Sequence, residues 1–239
     1  GMLANSIAWS ENITEKNYSD IKLNFYKENG RAVQFIKNRK DEDPRMHRLW
    51  ALDGFRRGNK VYVYYLHVFV PDKAKFLNFE VLYSGLARWD IPPGWKPGDR
   101  IDFRRLGPVF GKGTPFFGAA VMERDGYVYL AGHFKRSDRE FPLSFARART
   151  DEVENSKAYS FLSQNGEWVS GIDSAGAFFS DVSGECSLSY NDYLKKYIII
   201  YSEIFTGNVA SARFKNFSEL PSAKRQIIFK VKKNNESAM

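Results

Sequence analysis

The sequence contains one cysteine, three histidines and no apolar run of membrane-spanning length, and each scarcity removes a class of protein. Cys186 alone excludes an internal disulfide and a thiolate zinc site, though it does not fix the compartment, since exported proteins without bridges are common. His47, His67 and His133 are scattered, with no HxxxH-type spacing, so no metal centre is expected. A membrane helix needs about 18 or more consecutive apolar residues, and no such stretch is present. There is also no glycine-rich phosphate loop, and no Ser-His-Asp set that spacing alone can support. No cofactor is therefore expected.

What is abundant is aromatic and basic. Twenty Phe, thirteen Tyr and five Trp suit strands, whose half-buried pleated faces favour broad side chains. A net charge of +8 raises the question of nucleic acid. The positive pairs Arg56-Arg57, Arg104-Arg105, Lys135-Arg136, Lys195-Lys196 and Lys232-Lys233 are dispersed and fall mostly at turn signals, so they read as solvated loop charge and no nucleic-acid partner is expected. Gly1-Met2 reads as a tag remnant ahead of a chosen start, which leaves room for a removed signal peptide.

A repeat organises the rest. Aligning GNKVYVYY, DGYVYLAG and LKKYIIIY places Tyr62, Tyr129 and Tyr197 in register, at intervals of 67 and 68 residues. Each follows a turn signal (Gly58-Asn59, Asp125-Gly126, Asn191-Asp192) preceded by another strand-like stretch. Each is followed by a third strand ending in arginine, at Arg88, Arg149 and Arg213, and a looser fourth strand is expected in KAYSFLSQNGEW from Lys157 to Trp168. A four-stranded antiparallel unit recurring at this period predicts an all-β chain of propeller blades, with a β-sandwich as the alternative. LANSIAW (Leu3 to Trp9) and DIKLNFY (Asp20 to Tyr26) then read as a partial blade, so about three and a half blades are visible in one propeller domain over residues 1–239. Either further sequence lies outside this chain, or the tail QIIFKVKK (Gln226 to Lys233) completes the partial blade.

The wording NSIA, LWALDGFRRGNKVYVYY, FGAAVMERDGYVYLAG, FARAR, YSFLSQNGEW and GECSLSYNDYLKKYIIIYS resembles the five-bladed propellers related to arabinanases, fructan-cleaving enzymes and levansucrases. It is most similar to the uncharacterised bacterial branch of that superfamily, annotated only as domains of unknown function. The likeness runs from Leu3 to about Phe214. It implies a carbohydrate partner and an exported protein, periplasmic, cell-surface or secreted. In such propellers the first strand of each blade lines the axial channel, where carboxylates meet the substrate. The chain departs from the pattern in lacking an evident first half-blade, where the related hydrolases keep their catalytic base, and a fifth blade. EDPR (Glu42 to Arg45) is similar to a phrase of a phosphorolytic branch, but it lies ahead of the strand and reads as chance.

Asp53 and Glu185, each before the hairpin turn of a first strand, are the candidate catalytic acids. Glycoside cleavage needs two carboxyl groups about 6.5–9.5 Å apart for inversion or about 5–5.5 Å for retention. Asp53-Gly54 could equally be a turn, and Glu185 could pair with a nearby arginine. Arg48, Trp50, Trp95, Asn191 and Arg147 are the candidate substrate-binding residues: tryptophan buries the apolar face of a sugar ring, and arginine clamps a carboxylate or sulfate. The first strand of the middle unit, FFGAAVM, has no acid. A glycoside hydrolase-like protein and a propeller that binds glycan or protein without chemistry therefore both stay open.

Overall fold

The computed structural model describes residues 3–11, 13–14, 20–71 and 78–231, and its strands fall in two compact units, Gly1–Lys112 and Gly113–Met239. The first unit carries β1 (Ala8–Trp9), β2 (Asn24–Phe25), β3 (Lys27–Glu28), β4 (Arg31–Ala32), β5 (His47–Arg57), β6 (Lys60–Phe69), β7 (Glu80–Asp90) and β8 (Arg104–Phe110). Strands β5 to β8 form one antiparallel sheet in sequence order. The second unit holds β9 (Ala120–Arg124), β10 (Tyr127–His133), β11 (Leu143–Arg149), β12 (Ser160–Leu162) and β13 (Trp168–Ser170) in one sheet. Its other sheet is β14 (Val182–Asn191), β15 (Lys196–Glu203), β16 (Val209–Phe214) and β17 (Arg225–Phe229).

The three repeat tyrosines take the rank the spacing predicts. Tyr62, Tyr129 and Tyr197 each lie on the second strand of a sheet, on β6, β10 and β15, just past a reversal. Two-residue turns at Gly58-Asn59 and Asp125-Gly126 supply the first two reversals, with Gly58, Asp125 and Gly126 all at positive φ, as tight hairpins require. The third differs from expectation. Asn191 still pairs with Lys196 at the end of the ladder, so the loop is the four residues 192–195, and the Asn191 Oδ1 accepts the Leu194 amide at 2.8 Å. That bond closes the wider loop locally.

Two further expectations are corrected. The stretch Lys157 to Trp168 is not one fourth strand: β12 and β13 pair with each other through a reversal at Gly166 (φ 83), so this sheet has five strands. The tail does not complete the N-terminal partial unit. Residues Arg225–Phe229 pair with β16 as the fourth strand of the last sheet, while Lys232-Lys233 lie outside the described residues. The buried carboxylate of Glu203 binds Arg225 and so ties that strand to β15.

Burial follows strand alternation. In the first unit Leu49, Tyr65, Ala87 and Trp89 share a sheet face and pack on Tyr26, Phe35, Ile36, Ile101 and Phe103. Asn5, from the NSIA phrase, is buried beside them and fully used: its amide donates to the carbonyls of Ile36 (3.0 Å) and Leu49 (2.9 Å), and its oxygen accepts the amides of Phe35 and Ile36. These bonds lock the N-terminal segment to β5 and leave Asn5 no capacity for a ligand. In the second unit Tyr129 and Tyr197 approach to 6.2 Å between centroids and both pack on Phe217, which joins the two sheets in one aromatic core.

Candidate functional site

Both candidate acids sit where a first strand bulges. Between the pairs Ala51↔Tyr65 and Gly54↔Val63, β5 advances three residues while β6 moves back two, so Leu52-Asp53 oppose a single residue. Between Val182↔Glu203 and Cys186↔Tyr201, β14 advances four while β15 moves back two. A bulge interrupts the ladder and re-aims the side chains it carries. Asp53 and Glu185 accordingly emerge exposed from strands whose neighbours Leu49 and Leu188 are core. The first strand of the middle sheet, β9, keeps an unbroken register and carries no bulged acid.

Gly54 makes the first bulge possible, because a Cβ there would lie 2.2 Å from the Tyr62 carbonyl oxygen. The freed Gly54 amide donates to the Asp53 Oδ1 at 2.7 Å. In the second, Gly184 adopts φ 120, a region glycine alone enters without strain, and its Cα lies against the His133 imidazole, with room for a Cβ only 3.1 Å from Cε1. Ser183 donates to the Glu185 Oε2 at 3.0 Å. Burial lowers the His133 pKa, opposed by the Glu185 charge, which keeps the imidazole neutral at physiological pH. The site at β14 is therefore an exposed carboxylate beside a neutral, enclosed histidine.

The candidate binding residues are dispersed. Arg48 and Trp50 are half-buried neighbours on the face of β5 opposite Leu49, and Trp50 meets Phe79 edge-on at 4.9 Å. Trp95 is half-buried and packs edge-on against Trp89, also at 4.9 Å. Arg147 lies between the rings of Tyr127 (4.5 Å) and Trp168 (4.4 Å). Asn191 closes its loop, as described above.

The most concentrated polar cluster escaped the sequence reading. Arg105, grouped there with Arg104 as solvated loop charge, has a buried side chain. Its guanidinium donates to both Glu42 carboxylate oxygens (2.5 and 3.0 Å), to the Tyr65 hydroxyl (3.2 Å) and to the Tyr83 hydroxyl (2.7 Å). Alternation explains the correction: Arg105 pairs with Ala87, which faces the core, while the adjacent Arg104 pairs with Arg88. Burial pushes Glu42 up, but hydrogen bonds from Arg105 and the Arg39 amide outweigh it and hold the carboxyl at about 2. His67 lies 4.0 Å from Glu42 and bonds His47 at 2.9 Å, and burial lowers its pKa against the pull of Glu42. No local motif announces this cluster, because its members come from the loop ahead of β5 and from four strands, β5 to β8.

The four- and five-stranded antiparallel sheets, two of them with a bulged first strand, define a protein of the β-propeller class, built of antiparallel blades. The chain belongs to the DUF4185 family, a domain of unknown function, whose match spans residues 4–235. Among solved structures it is similar to a candidate hydrolase from Bacteroides ovatus ATCC 8483, with a TM-score of 0.57 and 16% identity over 78% of this chain and 46% of that one. It is also similar to Cellvibrio cellulosa α-L-arabinanase (TM-score 0.47, 15% identity, 78% and 61% covered). A third is Bombyx mori GH32 β-fructofuranosidase (TM-score 0.45, 11% identity, 77% and 37% covered). The chain spans less than two thirds of each of these proteins. No curated protein matches it. Among the described residues, no helix is long and apolar enough to cross a membrane.

Proposed function

We propose that this protein is a glycoside hydrolase-like propeller that acts on a polysaccharide or oligosaccharide outside the cytoplasm, using Asp53 and Glu185. The observation that carries the reading is their shared placement: each is an exposed carboxylate on a bulge in the first strand of its sheet. Hydrolysis requires one carboxyl to protonate the leaving oxygen and the other to activate water or attack the sugar carbon. Glu185, beside the enclosed His133, is assigned the acid and Asp53 the carboxylate. Arg48, Trp50, Trp95 and Asn191 are the candidate contacts to the glycan, while Arg147 is held between the rings of Tyr127 and Trp168.

Binding without cleavage is the second reading, and the unbroken register of β9, which leaves no acid on a bulge, favours it. A panel of plant and host polysaccharides separates the two, scored in parallel for reducing ends released and for ligand-induced thermal shifts. Sugar release lost in Asp53→Asn and Glu185→Gln supports hydrolysis at this site, and release that survives both rejects the site. Thermal shifts without release select binding. No response to any glycan rejects carbohydrate.

A further inference from the structure

On the first unit, the connection from β7 to β8 borders a surface groove of about 530 Å³, walled by Arg88, Asp90, Arg100, Asp102 and Arg104. Two of these arginines are placed at a cost. Arg88 and Arg104 are directly opposed on neighbouring strands, and like charges in that position destabilise a sheet. The aspartates offset only part of the charge: Asp90 meets Arg88 at 3.0 Å and Asp102 meets Arg100 at 3.6 Å. The third guanidinium of the groove, Arg104, makes no ion pair among the described residues. Arg104 is also exposed, so its fork is presented to solvent at the groove.

An opposed arginine pair with surplus charge is what an oxyanion would relieve, and a planar guanidinium matches a carboxylate with two parallel hydrogen bonds. The groove is larger than a lone ion needs and falls in the size range of small-ligand sites. We propose that it binds the carboxylate of a uronic acid residue in an acidic polysaccharide, with Arg104 as the principal contact and Arg100 and Arg88 flanking it. This rests on the carbohydrate reading above and names its substrate class.

The experiment is calorimetric titration of the full chain with polygalacturonate, with dextran as neutral control and free galacturonate as the monomer arm. The wild type is expected to bind polygalacturonate more tightly than dextran. Arg104→Gln should weaken that binding at least tenfold, with Arg104→Lys in between, because lysine keeps the charge and loses the fork. Arg57→Gln, the same charge change at an exposed site elsewhere on the sheet, is the control for diffuse attraction to a basic protein. Equal losses in Arg57→Gln and Arg104→Gln overturn the groove, as does wild-type affinity in Arg104→Gln. Binding of free galacturonate as tight as that of the polymer overturns the polysaccharide assignment. Binding of neutral glycans but not polygalacturonate sinks this inference and leaves the carbohydrate reading standing. No binding of any glycan removes both.

Discussion

Glu42 and Arg105, sixty-three residues apart in sequence, form a buried two-pronged ion pair that fastens the loop ahead of β5 to the outer strand β8. A lone charge left in that position is costly, because the surrounding core cannot solvate it. Glu42→Gln is expected to destabilise the protein by about 3 kcal/mol in urea unfolding. The double variant Glu42→Gln/Arg105→Met should recover part of the loss, since it removes the stranded guanidinium. A single-variant cost below about 1 kcal/mol, the range of exposed pairs, contradicts the buried pairing.

Tyr65 reaches this pair across Gly85, its direct partner on β7. A Cβ at position 85 would come within 2.4 Å of the Tyr65 ring, so Gly85→Ala must push the ring aside. The expected cost is about 1–3 kcal/mol. It should be non-additive with Glu42→Gln, because both changes act through the Arg105 donors. Strict additivity in the double-mutant cycle counts against the network.

Acid should weaken the fold in two stages. His67 has a folded pKa below its unfolded value of about 6.5, so the unfolded state takes up a proton first and stability falls as the pH drops below about 6.5. Glu42, held at about 2, contributes stability that is complete above about pH 4.5 and lost as the pH falls towards 2. Both signs agree: stability rises with pH throughout. Unfolding curves from pH 3 to 8 check this, and His67→Gln should flatten the upper stage only. His133 is shifted in the same direction and leaves a smaller upper stage in that variant.

Arg147 was placed among the candidate glycan contacts, and its two flanking rings give it a second role. Cation–π pairs with Tyr127 and Trp168 predict a loss of about 1–2 kcal/mol on Arg147→Gln. Glycan binding by the folded variant is expected to stay within twofold of wild type. Weakened binding with unchanged stability would make the guanidinium a ligand group instead.

The repeat was legible because its signals are local. Tyr62, Tyr129 and Tyr197 stand at a fixed distance from turn residues, and turn chemistry together with the two-residue period acts over only a few positions, so strand rank could be read directly. The acids Asp53 and Glu185 were legible as first-strand residues for the same reason. Their bulges were not, because a bulge exists only relative to the partner strand: nothing near Asp53 states that Gly54 must clear the carbonyl of Tyr62. The split of Lys157 to Trp168 into β12 and β13 likewise depended on which strand was free to pair.

Arg104 and Arg105 show the limit most plainly. In sequence they are one basic dipeptide at a turn, and composition assigns them one role. Periodicity and turn residues, which act over a few positions, are enough to specify antiparallel blades. The burial of Arg105 against Glu42 and the placing of Arg104 at a groove follow from the assembled sheet, because one step along a strand turns a side chain to the opposite face, and which face is covered is set by residues far away in the chain.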